Sequence, residues 1–231
     1  MPGTDYTWTG DTDGDPTVQG NWNPTGVPGT NAADTITIDV TGEFVNALAG
    51  AGWTTTIAGA TINNNNSSPT NLSGVTITGP VTLTAEWATT LGSCSGLVTV
   101  RDTGNMAAGT LIGGLVMGPG ISTVDSGTIS GGVVLSGTWY VHGGTFSGAV
   151  KVQANGTLDS AAAAVVLTSA VIVVESGTLK LEKGAQALTV PTGGLVHLGH
   201  PDAAVTADAT LLSDITVKGD YISPGNPLSP P

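Results

Sequence analysis

Thr123-Val124-Asp125-Ser126-Gly127-Thr128, Tyr140-Val141-His142-Gly143-Gly144-Thr145, Thr157-Leu158-Asp159-Ser160 and Val173-Val174-Glu175-Ser176-Gly177-Thr178 are four versions of one short phrase. Two fainter versions follow, Val190-Pro191-Thr192-Gly193-Gly194 and Thr206-Ala207-Asp208-Ala209-Thr210. The third position falls at 125, 142, 159, 175, 192 and 208, in steps of 17, 17, 16, 17 and 16 residues. An apolar pair, a polar residue and a Ser/Gly turn at near-constant spacing mark a stacked-repeat architecture. The expected fold is all-β: a single-stranded parallel β-helix, or β-solenoid, of about 17 residues per coil.

A second phrase supports the same period. Gly109-Thr110-Leu111-Ile112-Gly113-Gly114, Gly127-Thr128-Ile129-Ser130-Gly131-Gly132 and Gly144-Thr145-Phe146-Ser147-Gly148 start 18 and 17 residues apart. Each leads into an apolar strand: Leu115-Val116-Met117, Val133-Val134-Leu135 and Val150-Lys151-Val152. Each coil thus holds at least two short strands parted by glycine corners. Upstream, Thr35-Ile36-Thr37-Ile38-Asp39-Val40 alternates as a half-buried strand does. Antiparallel hairpins would call for tight two-residue turns, and only Asn155-Gly156 offers one. A parallel stack instead sets like over like, and Val124, Val141, Leu158 and Val174 are the expected inner column.

The composition fits packed strands. Only 10% of the 231 residues are charged, against roughly 25% in an average soluble protein. Five Lys and Arg face 17 Asp and Glu, a formal charge of −12. Such a surface repels phosphate backbones and anionic lipid heads, so nucleic-acid and membrane-surface binding are not expected. The most apolar run, residues 161–174, contains Thr168 and Ser169 and is too short to span a bilayer. No secretory leader is read in Met1-Pro2-Gly3-Thr4-Asp5. Cys94 is the single cysteine and reads as a buried or turn thiol.

Three segments are expected. Residues 1–33, rich in Pro, Gly and Asp, read as an N-terminal arm or cap whose Tyr6, Trp8 and Trp22 anchor it to the first coil or to a neighbouring chain. Residues 34–219 form the solenoid, and the strand pattern is expected to stop after Val217. Residues 220–231 are a Pro-rich tail; Tyr221, Pro224 and Pro227 are its candidate partner contacts. The run Asn63–Pro69 reads as a solvated loop.

Few constellations could carry chemistry. Asp11, Asp13 and Asp15 set three carboxylates at alternate positions, as the opening of a calcium loop does. Pro16 then stands where such a loop needs glycine and Trp22 where it needs glutamate, so a solvated acidic turn is the plainer reading. Calcium is the one candidate cofactor. His197 and His200 belong together only if the chain turns at Gly199. Asp102, Asp125, Asp159 and Glu175 would line one edge of the stack, interrupted by His142, the single general-base candidate. Trp53, Trp87, Trp139 and Tyr140 are candidate sugar-stacking rings, with core packing their more ordinary use.

Trp8-Thr9-Gly10, Asn21-Trp22, Gly26-Val27-Pro28 and Asp34-Thr35-Ile36-Thr37-Ile38 resemble the opening of autotransporter-like bacterial surface β-solenoids. The Gly-Thr-Leu and Asp/Glu-Ser-Gly-Thr turns are similar to those repeats and to β-helical virion proteins of tailed phages. The resemblance implies a non-enzymatic structural protein on a virion exterior, such as a capsid decoration protein. It also implies a homotrimer partnered with a major capsid or other virion protein. An extracellular or cell-surface adhesion or glycan-binding module is the alternative, and a polysaccharide lyase or hydrolase ranks below both.

Overall fold

The computed structural model describes residues 1–40, 52–64, 69–85, 88–101, 104–153 and 156, and from 157 to 222 the backbone of the strands. These strands form two sheets of 12 and 13 members, and from Thr35–Val40 to Val133–Leu135 successive strands alternate between them. Among the described residues one pairing is antiparallel, Trp22–Asn23 against Asp5–Trp8. The rest run parallel, which makes the chain a β-solenoid.

Register gives the coil length. In the first sheet Val81 pairs with Val98, Val98 with Leu115, Leu115 with Val133 and Val133 with Val150, offsets of 17, 17, 18 and 17 residues. Coils on either side are longer. Thr35 lies beside Gly59 and Ala60 beside Val81, offsets of 24 and 21. Toward the C-terminus Val150 pairs with Ile172, Ile172 with Val196 and Val196 with Tyr221, offsets of 22, 24 and 25.

The expected steps of 16 and 17 beyond Asp159 therefore do not correspond to coils. Val174 stands over Val152 in the first sheet, whereas Leu158 stands over Trp139 in the second. Of the expected column only Val124 and Val141 are neighbours in register. Every face uses the same strand-and-glycine phrase, so a motif on one face resembles a motif on the next. The added residues fall between strands of the second sheet, between Asp159 and Val165, Leu181 and Ala187, and Ala207 and Thr216.

In its early coils the second sheet uses long strands, Thr70–Ile77, Ala88–Cys94, Gly104–Leu111 and Ile121–Ile129, with breaks in register within them. Two short strands then stack on the halves of Ile121–Ile129: Thr138–Val141 on the first and Gly144–Phe146 on the second. From there the coil is three-sided. Glycines occupy the corners because rungs touch there. A methyl group on Gly96 would overlap the carbonyl of Gly79, and one on Gly148 that of Gly131. Gly144, at φ +116°, adopts a backbone that other residues reach only with strain.

Alternation fills the interior. In Val98–Val100, Leu115–Met117, Val133–Leu135 and Val150–Val152 the outer two residues are buried and the middle one is half-exposed. Ile38, Ile62, Leu83, Val100, Met117, Leu135 and Val152 form one continuous inner column. Each such side chain contributes about 1.5–3 kcal/mol by leaving water. Cys94 belongs to a parallel column between Ile77 and Leu111.

Two boundaries differ from the sequence reading. Asp5–Trp8 pairs in parallel with Thr35–Val40, adding a rung before residue 34. Asp220–Ile222 pairs with Leu195–Leu198, so strand pairing continues past Val217. Asn63 and Asn64 belong to the strand Gly59–Asn64 and sit beside Asp39 and Val40; residues 65–68 lie outside the described set.

Candidate functional site

The N-terminal end is closed by aromatic rings. Trp22 stands edge-on to Trp8, ring centroids 4.9 Å apart at 72°, and meets Tyr6 at 6.4 Å and Trp53 at 5.8 Å. Trp8 and Trp22 are each 2% exposed. The Trp22 indole N–H donates to the Pro16 carbonyl at 2.9 Å, which satisfies its one polar atom. The candidate contacts Tyr6, Trp8 and Trp22 thus sit on or in the chain's own core.

Asn21 organises the acidic turn. It is fully buried, accepts from the amides of Thr12 and Asp13, and donates to the Asp13 carboxylate at 2.7 Å and the Asp15 carbonyl at 2.9 Å. Asp13 also accepts from the Asp15 amide, and Asp15 from the amide and hydroxyl of Thr17. The Thr17 amide, then its hydroxyl, hold the Asp15 carboxyl below its ordinary range. Among the described residues no three His, Cys, Asp or Glu side chains gather into a group able to hold a metal ion, and Asp11, Asp13 and Asp15 are no exception.

Asp34 is the second organiser. Its carboxylate is 1% exposed and accepts from the amides of Thr4 at 2.9 Å, Gly29 at 3.0 Å and Asn31 at 3.2 Å. Sequence reasoning missed both Asn21 and Asp34. The signal for Asp34 is Asn31 three residues earlier, a short polar pair that closes a turn on itself.

His142 sits one coil above Asp125, Nδ1 to Oδ1 3.0 Å, with both side chains about half exposed. Asp159, the next residue of the expected acidic edge, is not in line with them. Asp159 pairs in register with Tyr140, two residues off that line, and Asp102 and Glu175 lie outside the described residues. An exposed pair of this kind contributes ~0–1 kcal/mol.

Other candidates are distributed plainly. Trp53 and Trp139 are buried, the latter 6.3 Å from Phe146, so neither presents a ring to a sugar; Tyr140 is half-buried. Burial pushes the Cys94 thiol up to about 12, which keeps it protonated and unreactive. Tyr221 lies in a strand beside Val196, and His197 beside Val173. Trp87, Gly199, His200, Pro224 and Pro227 lie outside the described residues.

The outer faces differ in chemistry. The first sheet carries Thr37, Thr61, Thr82 and Thr99 in register, with a hollow of about 210 Å³ over Gly59 lined by Thr35, Thr37, Thr61, Pro80 and Thr82. Asp125 and His142 put an ion pair on another face, and a third carries Thr110, Thr128 and Thr145 in register with exposed Ile112 nearby. Set against protein-family models, curated proteins and solved structures, the chain has no match.

Proposed function

We propose that the chain is a non-enzymatic structural protein, a rigid β-solenoid carried on the exterior of a tailed-phage particle as a capsid decoration protein is. The observation that supports this reading most is the continuous apolar column from Ile38 to Val152, in which each coil covers the interior of the one before it. A body built this way is stiff along its axis, and its outer faces are free for attachment. The virion setting and trimeric assembly rest on the similarity of the Gly-Thr-Leu and Asp/Glu-Ser-Gly-Thr turns to those of β-helical virion proteins of tailed phages. Because Trp8 and Trp22 serve the core, attachment falls to an outer face or to the segment with Pro224 and Pro227.

Sedimenting tailed-phage particles from a culture of the source and probing the gradient with an antibody to the chain tests the reading. Signal with intact capsids is expected. Signal confined to the cell envelope would overturn it in favour of a surface adhesin. Light scattering of the purified chain is expected to give three times the chain mass.

A further inference from the structure

One face of the stack repeats Gly92-Ser93-Cys94-Ser95, Gly109-Thr110-Leu111-Ile112, Gly127-Thr128-Ile129-Ser130 and Gly144-Thr145-Phe146-Ser147. Cys94, Leu111, Ile129 and Phe146 are buried, so the residues flanking each point outward. Register aligns them in a first rank: Thr56, Thr76, Ser93, Thr110, Thr128 and Thr145. Two residues across lies a second rank, Thr78, Ser95, Ile112, Ser130 and Ser147. Amide-to-carbonyl bonds of 2.8–2.9 Å from these residues to the preceding coil hold it in line. Every position in both ranks is partly or fully exposed. No charged residue occurs in rungs 55–58, 75–78, 92–95, 109–112, 127–130 or 144–147.

We propose that this two-rank array is an ice-binding face. Its positions repeat about every 4.8 Å along the stack and roughly 6.6 Å across it, with a hydroxyl at each save exposed Ile112 in the second rank. Order in two directions suits a partner that is itself a lattice, and a single soluble molecule would engage a few of these groups. Threonine has few rotamers on a strand, so the array is set before contact and little freedom is lost on binding. Its hydroxyls can take the places of lattice waters while its methyls displace liquid water. The Thr78, Ser95 and Ser130 hydroxyls donate to carbonyls of the preceding coil at 3.2, 3.3 and 3.5 Å, which fixes their oxygens as outward acceptors. Neutrality matters too, because charged groups would hold a liquid hydration layer against the crystal. Crystalline polysaccharide is the other ordered hydroxylic surface. It is gripped by exposed flat rings, and the one aromatic residue in these rungs, Phe146, is buried.

The test is the growth of a single ice crystal in a solution of the full chain during slow cooling. A faceted crystal and a gap between melting and freezing points are expected. Both should be lost in the double variant Thr110→Lys, Thr128→Lys and kept in Thr82→Lys, which alters the first sheet's outer face. Circular dichroism and melting check that the variants fold. Should the lysine pair not fold, Ser95→Lys with Ser130→Lys gives the same readout. Round crystals growing as in buffer with the natural chain would overturn the proposal, as would equal loss in Thr82→Lys. Co-sedimentation with crystalline cellulose or chitin, abolished by the same lysine pair, would reassign the face and overturn it as well.

Discussion

The Thr4 amide donates to the Asp34 carboxylate at 2.9 Å across 30 residues of sequence, tying the first rung to the start of the second. The same carboxylate holds the amides of Gly29 and Asn31, so one buried side chain closes the whole N-terminal loop. Replacing Asp34 with Ala leaves these amides without an acceptor. The expected loss is about 3 kcal/mol, from ~1–3 kcal/mol per buried donor with part recovered by water. Urea unfolding followed by tryptophan fluorescence measures it, and Asp34→Asn should retain part of the stability.

Removing the Trp22 ring opens a cavity between Trp8, Tyr6 and Trp53. Trp22→Ala is expected to cost about 3–5 kcal/mol. Trp22→Phe should cost less, because it keeps most of the contact and gives up the bond to Pro16. Thermal melts of the two variants give the order.

The glycine corners separate two kinds of glycine. Gly96→Ala drives a methyl into the Gly79 backbone and is expected to destabilise by at least ~1–3 kcal/mol. Gly132→Ala meets nothing nearer than the Ala149 carbonyl at 3.8 Å and should stay within about 0.5 kcal/mol of the natural chain. Equal effects in denaturant titrations would contradict the close stacking of corners.

Cys94 sets an alkaline limit. Its thiol ionises at an ordinary 9.0 in the unfolded chain and near 12 when folded, because burial penalises the thiolate. Its contribution is fully present below pH 9.0 and declines as pH rises toward about 12, since the unfolded state alone releases the proton in that window. Stability measured from pH 8 upward is expected to fall less steeply in Cys94→Val than in the natural chain. Thiol reagents at pH 8 should label Cys94 only in denaturant.

His142 and Asp125 offer a contrast. Both are about half exposed, so His142→Ala is expected to change stability by less than ~1 kcal/mol, and by less still at high salt. Melting curves at two ionic strengths check this.

The solenoid is legible in the sequence because inward residues repeat with the coil, as from Val98 to Leu115 to Val133 to Val150. The count of coils is not, because Val174 and Leu158 carry the same apolar signature on different faces. Periodicity reports alternation, and the face is decided by where extra corner residues are inserted. The closing of the N-terminal end was hidden for a different reason. Trp8 and Trp22 advertise themselves, but whether a tryptophan covers its own core or a neighbour's depends on Asn21 and Asp34, whose short side chains show no period. The hydroxyl face was half visible: the Gly-Thr phrases are plain in the sequence, and their alignment into ranks needs the register.

The reversed strand Trp22–Asn23 has a consequence for growth. It is two residues long and runs against Asp5–Trp8, so the first sheet there ends in a stub that a further parallel rung cannot readily copy. Strand addition by a second copy through that edge is blunted, so the aromatic end of the stack resists serving as a template for another solenoid.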